Sequence, residues 1–340
     1  MKKPWTEKEI LKLIKEYRAG KKVEEIATEL GRSWNSVWGK IKAYNSEKKA
    51  KEKEKEAGFI RADILEDEQK LAAILSAKGY VVEKMTDDKM DRRFVIEQKI
   101  EREIKIGVIS CTHLGSKYQQ LTSLLEFYQI CSNSGVHHVF HCGDLLDGID
   151  VYPGQEYEIF QHGLDAQVSY AIDNYPTIEG IKTYLIAGNH DYSFTKKAGA
   201  DALDIIARQR PDIVYLGAYG AYPQVANLKI YLSHGHAGNP YARSYRLQKM
   251  IEQFSSEAKP DFFFLGHYHT NCILPHYRNV FAIQLPSFQA QTPYLRRMGL
   301  YPEIGGYILT LKLNDEGRKN NLALAGIEYI PFYKMKERDY

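Results

Sequence analysis

The sequence has no apolar run that approaches the roughly 18 residues a membrane helix needs, and its first residues contain no apolar signal core. Cysteine is scarce, and no two cysteines form a CxxC pair. These absences argue against a membrane-spanning protein and against a secreted domain built on disulfides. We therefore expect a globular, cytoplasmic protein with no membrane partner. The four cysteines are Cys111, Cys131, Cys142 and Cys272.

Most of the chain has no excess of positive charge, but its first 60 residues do. Residues 1–60 contain 16 Lys and Arg against 10 Asp and Glu, whereas residues 61–340 contain 30 against 33. A basic segment joined to a near-neutral body is typical of a module that binds a polyanion. The alternative is a basic surface that only keeps the protein soluble.

Residues 1–45 have the apolar spacing of three short helices. In the first, apolar residues recur every three or four positions, and Thr6 with Glu9 predicts a capping box at its start. Gly20 and Gly31 end the first two helices in this interpretation, and the sequence GRS joins the second to the third. Three helices joined in this way predict a helix-turn-helix domain.

The segment PWTEKEILKLIKEYRAGKKVEEIATELGRSWNSVWGKI resembles the Myb/SANT-like group of helix-turn-helix domains, although Val23 stands where that group often has a second tryptophan. The resemblance implies that the third helix enters the major groove of DNA and that its polar face meets bases and phosphates. The alternative is a protein-docking module, as some SANT domains are. The expected DNA contacts are Arg32, Asn35, Ser36, Lys40 and Lys42.

Two further segments separate this domain from the rest of the chain. Residues 46–58, SEKKAKEKEKEAG, alternate in charge and predict a solvated linker. Residues 59–103 predict a connecting unit, with a helix ending at Gly79 and a hairpin that turns at Asp87 and Asp88. No chemistry is assigned to either segment.

From residue 104 onward, strand-like apolar runs alternate with helical stretches. The runs predict strands, and the helical stretches are clearest at 119–132 and 164–173. Beyond residue 280, GGYILTLKLND predicts an antiparallel strand that leads into a turn. Residues 104–340 are therefore expected to form one α/β domain with a mixed rather than a purely parallel sheet. The predicted strands are 104–109, 136–142, 182–187, 228–233 and 261–265.

Metal-competent polar residues follow each of these five runs, in the segments SCTH, HCGD, AGNHD, LSHGH and LGHYH. Because ligands at the carboxyl ends of successive strands converge on one edge of a sheet, we expect these side chains to meet. Glycine precedes Asp144, Asn189 and His267, where a tight turn must release the chain from the strand. One such segment alone is more often a surface loop, but five in order indicate a site.

This ordered set is similar to the pattern DxH, GD, GNH(D/E), H and GHxH, and residues 104–310 are identified as a calcineurin-like metallophosphoesterase. The resemblance implies a β-sandwich flanked by helices and two divalent metal ions, such as Mn, Zn or Fe. By position it assigns the first metal to His113 and His269, the bridge to Asp144, and the second metal to Asn189, His234 and His267.

The same resemblance implies a catalytic role for His190, which would donate a proton to the leaving oxygen or stabilise charge on the phosphoryl group. Asp147 corresponds to the acid that orients this histidine in some members, with a turn or capping aspartate as the alternative. Two metals about 3.5–4 Å apart would provide a bridging hydroxide and clamp the phosphoryl oxygens for in-line displacement. No covalent intermediate is needed for such a hydrolysis.

Cys111 departs from the pattern, which has aspartate at this position. Thiolate suits Zn²⁺ or Fe but is a poor match for Mn²⁺ or Mg²⁺, which prefer oxygen. Cys111 would therefore bias the first site toward Zn or Fe if it binds metal, or leave a looser first site if it stands aside. In a third alternative the protein has lost the dinuclear chemistry and kept only binding, which the retention of His190 disfavours.

The motifs around the site and the helix-turn-helix in the same chain indicate the substrate class. The GDxxDRG and GNHE motifs of protein phosphatases are absent, since GDLLDGID and GNHD stand here. A helix-turn-helix in the same chain would raise the local concentration of DNA, so the leading hypothesis is a nuclease. The alternatives are a phosphoesterase for a nucleotide or other small substrate, and a DNA-binding regulator with a vestigial phosphoesterase domain. A homodimer is possible through residues 59–100 or the C-terminal segment.

Overall fold

Apolar runs of the sequence form the strands of two sheets that share a core. The computed structural model divides the chain into two units, residues 1–82 and 83–340. The residues that the structure describes are 5–18, 21–34, 36–42, 44, 92–96, 103–218, 220–226, 228–236, 238–313, 322–336 and 338–340.

All strands of the described residues lie in the second unit. The five predicted runs are confirmed within two residues at each end. In chain order the strands are β1 (Arg92–Ile96), β2 (Glu103–Ile109), β3 (His138–His141), β4 (Lys182–Ile186), β5 (Ile213–Gly217), β6 (Gly220–Val225), β7 (Leu228–Ser233), β8 (Phe262–Leu265), β9 (Cys272–Tyr277), β10 (Val280–Gln284), β11 (Gly305–Leu313) and β12 (Leu322–Pro331).

Each sheet combines parallel and antiparallel pairs, as expected for a mixed α/β domain. One sheet has the order β12-β11-β2-β3-β4-β5, in which β2 to β5 are parallel and β11 is antiparallel to its two neighbours. The other has the order β1-β6-β7-β8-β10-β9, in which β7, β8 and β10 are parallel. The antiparallel strand predicted near the C-terminus is β11.

A buried apolar layer joins the two sheets. Val108 and Phe140 from one sheet pack in the same cluster as Leu232 and Phe264 from the other. Phe263, between two inward residues of β8, belongs instead to a cluster with the helix Tyr245–Gln253. Strand β8 is therefore covered on both faces, which explains why its sequence FFFL is apolar without alternation.

Helices cover the outer faces of the sandwich. The two predicted helices are observed at Leu121–Asn133 and Leu164–Asn174. Their apolar residues, such as Phe127 and Val168, pack in the cluster that covers the outer face of the first sheet. The other helices of this unit in the described residues are Asp191–Ala198, Ala202–Gln209, Tyr245–Gln253 and Pro293–Arg297, with a short 3-10 helix at Gln155–Tyr157. The predicted fold class is thus confirmed: an α/β sandwich flanked by helices.

The first unit contains helices Glu7–Arg18 and Val23–Glu29 and a third helical segment at 36–42. The predicted capping box is confirmed, since Glu9 N donates to Thr6 Oγ1 at 3.3 Å and Thr6 N donates to Glu9 Oε2 at 2.9 Å. One apolar core holds the three helices together. Its buried residues are Leu13, Ile26, Ala27, Val37 and Ile41.

The C-terminal segment packs back onto its own unit. Thr122 N, in the first turn of helix Leu121–Asn133, donates to Asp339 Oδ2 at 2.6 Å. The ring of Tyr340 stacks on Phe160 with centroids 4.3 Å apart. Asp339 thus caps a helix that lacks a cap in its own sequence, an interaction typically worth about 1 kcal/mol.

Some predictions fall on residues that the structure does not describe. The linker at 46–58, the helix ending at Gly79 and the turn at Asp87 and Asp88 all lie outside the described residues. Of the predicted hairpin, the structure describes only β1. This strand pairs in parallel with β6, so the second sheet includes residues before position 104. Among the described residues, no helix is long and apolar enough to cross a membrane.

Candidate metal centre

The loops that follow five parallel strands meet at one edge of the sandwich. Strands β2, β3 and β4 contribute from one sheet, and β7 and β8 contribute from the other. The predicted metal ligands and His190 all lie on these loops. In chain order they are Cys111 and His113 after β2, Asp144 after β3, Asn189 and His190 after β4, His234 after β7, and His267 and His269 after β8.

One group of donor atoms surrounds His113. Its Nε2 lies 3.1 Å from His269 Nε2 and 3.8 Å from Asp144 Oδ2. Cys111 Sγ, His113 and His269 present ligand atoms within 4.8 Å of one another. This group coincides with the first metal site expected from the sequence.

A second group surrounds His234. Its Nε2 lies 3.0 Å from Asp144 Oδ2 and 3.1 Å from Asn189 Oδ1. His267 Nδ1 lies 2.9 Å from the same amide oxygen. Because Asp144 Oδ2 belongs to both groups, it occupies the position expected of a bridging ligand.

The donor set of the second group fits a cation. His234 Nδ1 lies 2.7 Å from the carbonyl oxygen of Cys142, which can only accept, so Nδ1 carries a proton. In the neutral form of the ring, Nε2 then presents a lone pair. That lone pair faces the oxygens of Asp144 and Asn189, which are acceptors as well. A divalent cation among the three atoms would be coordinated by all of them. Burial acts to lower the pKa of His234, but the charge of Asp144 outweighs it and raises that pKa, so a proton on Nε2 fills the same place when no metal is bound.

The ionisation states also suit metal ligands. Burial lowers the pKa of His113 and holds the pKa of His269 well below its usual range, which favours neutral imidazole. Burial acts to raise the pKa of Asp144, but the neighbouring imidazoles outweigh it and hold that pKa well below the usual range. Neutral imidazole and ionised carboxylate are the forms that bind metal.

The loop backbone is strained where it presents these side chains. Cys111, His113 and Asp144 have φ of 55°, 46° and 56°, and His267 and His269 have φ of 83° and 54°. Left-handed backbone at a residue other than glycine costs of order 1 kcal/mol and clusters at functional sites. The site therefore holds its side chains in place at some cost to stability.

The glycines before Asp144 and Asn189 allow a tight turn, and they also stand where a larger side chain would not fit. A Cβ on Gly143 would lie 2.6 Å from His234 Nδ1, and one on Gly188 would collide with the carboxylate of Asp144. The loops are thus packed against each other through backbone atoms.

Beside these residues lies a cleft of about 500 Å³, bordered by His190, Tyr152, Tyr294 and Tyr301 among others. His190 Nδ1 donates to the carbonyl oxygen of Asp147 at 2.5 Å. This hydrogen bond leaves Nε2 as the ring nitrogen that can exchange a proton with a bound ligand.

A model of calcineurin-like phosphoesterase sequences matches residues 104–282, more than half of the chain. The chain belongs to this family. The match runs from β2 into β10 and includes every loop described above. Membership in the family implies divalent metal ions, in agreement with the possible metal-ligand atoms that lie close together here.

Among curated proteins, the chain is similar to two archaeal DNA polymerase II small subunits. That of Methanocaldococcus jannaschii is 26% identical over 302 residues, or 73% of this chain and 49% of that protein. That of Archaeoglobus fulgidus is 26% identical over 201 residues, or 50% of this chain and 41% of that protein. The chain thus spans about half the length of the curated relatives it matches, or less.

Among solved structures, a predicted phosphoesterase of Streptococcus pneumoniae TIGR4 matches 68% of this chain and 100% of its own, with 15% identity and a TM-score of 0.33.

Cys111 lies within the cluster of residues that could hold a metal ion. Its side chain is fully buried, and its Sγ accepts the backbone N–H of His267 at 3.2 Å and lies 3.1 Å from Ser110 Oγ. Burial and the charge of Asp144 raise the pKa of the thiol well above its usual range. A metal at this position would therefore have to displace the thiol proton.

Asp147 has a different partner from the one expected. Its Oδ1 accepts from His113 Nδ1 at 3.0 Å, whereas only its backbone carbonyl contacts His190. Its carboxylate thus orients a residue of the first ligand group rather than His190. The expectation that the acid itself orients His190 is corrected, because His113 occupies the space in front of the carboxylate.

Two glutamines that the sequence did not reveal complete this arrangement. Gln289 Nε2 donates to Asp147 Oδ1 at 3.0 Å, and Gln155 Nε2 donates to Asp147 Oδ2 at 3.1 Å. Both glutamines are buried. Neither lies in a recognisable motif, so no sequence signal could have found them.

Asp191 was also missed, although it follows His190 directly in the motif GNHD. Its carboxylate accepts from the backbone N–H of Gly188 at 2.9 Å and of Leu146 at 2.8 Å. It therefore ties the loop after β4 to the loop after β3. Burial and the charge of Asp144 raise the pKa of Asp191 to about 7. The motif itself was the signal that could have found it.

Replacing Asp147 by asparagine is expected to weaken divalent-metal binding about 10- to 100-fold, as is typical for groups that orient metal ligands. Both oxygens of the Asp147 carboxylate accept hydrogen bonds, whereas an asparagine has to place its NH₂ group against one of the N–H donors. Competition with a chromogenic chelator measures the affinity. Asp150→Asn, an exposed carboxylate on the same loop, is the matched control. Equal affinities for wild type and Asp147→Asn would show that Asp147 does not position His113.

In the first unit, two of the predicted DNA contacts have partners within the unit. Arg32 Nη2 pairs with Glu9 Oε2 at 2.9 Å, and its guanidinium lies 4.5 Å from the ring centroid of Trp5. Ser36 Oγ accepts from Trp5 Nε1 at 3.2 Å. Both therefore take part in holding the helices together. Lys40 and Lys42, which are also predicted contacts, are exposed. Asn35 lies outside the described residues.

Proposed function

We propose that this phosphoesterase is a metal-dependent phosphodiesterase that acts on DNA, most simply a nuclease. The observation that carries the proposal is the pair of ligand groups that share Asp144, with His190 beside them at the border of an open cleft. Such a pair matches the arrangement of two-metal hydrolases, in which no protein side chain has to attack the phosphate.

The residues of each group define the expected sites. Cys111, His113, His269 and Asp144 would hold one divalent ion, and Asp144, Asn189, His234 and His267 would hold the other. When bound, the two ions would supply Lewis-acid charge that neutralises the phosphoryl oxygens of the substrate.

His190 is the residue of this chain placed to handle a proton. Its Nδ1 is held by the carbonyl oxygen of Asp147, and its backbone N–H donates to Asp144 Oδ1 at 2.9 Å. The ring is thus anchored at two points beside the bridging carboxylate. Its Nε2 would deliver a proton to the leaving oxygen of the ester.

DNA is supported as the substrate by two separate observations. The curated relatives are named DNA polymerase II small subunits, so the phosphoesterase region resembles proteins of DNA metabolism. The first unit has three helical segments, the number that the sequence predicts for a helix-turn-helix, and Lys40 and Lys42 are exposed on the third. We propose that these lysines contact the phosphate backbone of DNA.

Cys111 favours a second candidate, a DNA-binding subunit whose phosphoesterase site no longer turns over. In this candidate the protonated thiol leaves the first ligand group one charge short of the family pattern. The protein would then work in a complex, as the name of the relatives implies for them.

Activity assays separate the two candidates. The full-length protein is loaded with Mn²⁺, Zn²⁺ or Fe²⁺ and given linear DNA, circular DNA and a chromogenic bis-phosphodiester. We expect hydrolysis of DNA and of the chromogenic diester, and no hydrolysis after chelation. Hydrolysis of the diester but not of DNA contradicts the nuclease, and silence on every substrate with every metal favours the subunit without turnover.

A further inference from the structure

Part of the cleft is not explained by metal binding. Beside the ligand cluster the cleft is bordered by Tyr152, Tyr294, Met298 and Tyr301, which we call the aromatic wall. Three of these four residues belong to one segment, which begins in the short helix Pro293–Arg297 and follows the strand β10.

The aromatic wall is open to a ligand. Met298 is 56% exposed and Tyr301 is 64% exposed, although both border the same cleft as the buried ligand His113. Large apolar side chains gain from being covered, so their exposure beside a reactive centre indicates a binding surface. Tyr152 and Tyr294 stack with ring centroids 4.1 Å apart, which fixes one part of the wall in place.

The wall is connected to the reacting groups. The ring centroid of Tyr152 lies 6.1 Å from that of His190. A ligand on the wall would therefore be adjacent to a phosphate at the metal centre. The two parts of the cleft thus suit a molecule in which a flat apolar group is attached to a phosphate ester.

Positive charge accompanies the wall. Arg296 and Arg297 are both exposed, and the guanidinium of Arg297 lies 5.8 Å from the ring centroid of Tyr294. Aromatic side chains that stack bases, with cations along the phosphate backbone, are the usual means of binding single-stranded nucleic acid. A phospholipid would use the cations for its headgroup phosphate, but it has no flat group to stack on the rings.

We propose that the aromatic wall binds an unpaired nucleobase next to the phosphate that the metal centre receives, so that the substrate is a single strand or an unpaired end of DNA. In a duplex, neighbouring bases already cover both faces of each base. This assignment rests on the proposed phosphodiesterase function for its role in catalysis, but the binding of the base does not depend on turnover.

The test compares two dinucleotides that differ only in their bases: thymidylyl-thymidine and the same sugar-phosphate backbone without bases. We expect the full-length protein to hydrolyse the thymidine compound with about tenfold higher kcat/KM, since base stacking contributes of this order. Tyr301→Leu and, separately, Tyr294→Leu should remove most of this preference by raising KM for the thymidine compound alone. Tyr294→Phe, which keeps the ring, should retain it.

Tyr333→Leu is the matched control, because Tyr333 is 90% exposed and does not border the cleft. Equal kcat/KM for the two dinucleotides in wild type would overturn the proposal, as would a preference that survives in both leucine variants. Equal hydrolysis of a phosphopeptide and the thymidine compound would also count against a nucleobase site.

If no diester is hydrolysed with any metal, the proposed function fails and the aromatic wall is tested by binding. Calorimetry then compares thymidine 5′-monophosphate with deoxyribose 5-phosphate on the metal-loaded wild type and on Tyr301→Leu. Tighter binding of the thymidine compound that is lost in the variant supports the wall. Equal binding of the two phosphates by wild type overturns it.

Discussion

Replacing His190 by asparagine should lower the rate of phosphodiester hydrolysis by about two to four orders of magnitude, the usual contribution of a positioned general acid. Asparagine can still donate to the carbonyl oxygen of Asp147, as His190 Nδ1 does at 2.5 Å. It cannot deliver the proton of Nε2. The substitution thus removes one chemical function and keeps the local hydrogen bond.

Metal content is the second readout for this variant. His190 lies within 4.8 Å of the ligand atoms of His113 and Asp144 but is not among the expected ligands. The metal-to-protein ratio by atomic emission should therefore equal that of wild type, and a lower ratio would show that His190 binds metal. His162→Asn, an exposed histidine, controls for the loss of an imidazole elsewhere. A variant that keeps full metal content and more than a tenth of the wild-type rate would remove His190 from the mechanism.

Replacing Cys111 by aspartate should change which metal fills the first ligand group. Wild type should retain Zn²⁺ or Fe in preference to Mn²⁺, because sulfur suits these ions, whereas the Cys111→Asp protein should accept Mn²⁺. The structure supports the role of Cys111, since its Sγ lies within 4.8 Å of the ligand atoms of both His113 and His269. The N–H of His267 points at the sulfur and would stabilise a thiolate there.

The measurement uses metal content after dialysis against equal concentrations of Mn²⁺, Zn²⁺ and Fe²⁺. Cobalt substitution adds a spectroscopic readout, a sulfur-to-cobalt charge-transfer band that wild type shows and Cys111→Asp lacks. Cys272→Ser is the control, because Cys272 lies in β9 and outside the ligand groups. Unchanged occupancy and metal preference in Cys111→Asp would show that Cys111 is not a ligand.

Stability gives an independent readout of the same substitution. A carboxylate at position 111 would be buried beside Asp144, and two buried like charges without a cation destabilise a fold. The Cys111→Asp protein should therefore gain more in Tm from added metal than wild type does. An equal gain would mean that the new carboxylate does not reach the ion.

The strands and the ligand residues could be predicted because their signals are local. Apolar runs of four to seven residues gave β2, β3, β4, β7 and β8, and the polar residues after each run mark the point where the chain leaves the sheet. Parallel pairing then brings the ends of β2, β3 and β4 to one edge of their sheet, and the ends of β7 and β8 to one edge of theirs. The convergence of His113 and Asp144 is a consequence of this geometry, whereas the approach of His234 also depends on how the two sheets pack.

The hydrogen-bond partners of the site could not be predicted, because they join segments far apart in the chain. Asp147 and Gln289 are 142 residues apart, and no local pattern records their contact. The same holds for Arg32, whose sequence position on the polar side of a helix-turn-helix indicated DNA. Its ion pair with Glu9 depends on how the helices pack.

The sequence by itself determined the fold class, the family and the kinds of side chain at the centre, since each depends on short patterns and their order. Only the tertiary structure decided that the carboxylate of Asp147 serves His113, that Cys111 lies within the ligand cluster, and that Tyr152 and Tyr294 stack beside His190. The physical reason is the same in each case. A residue type limits what a side chain can bind, but its partner is whatever the packing of distant segments places within reach.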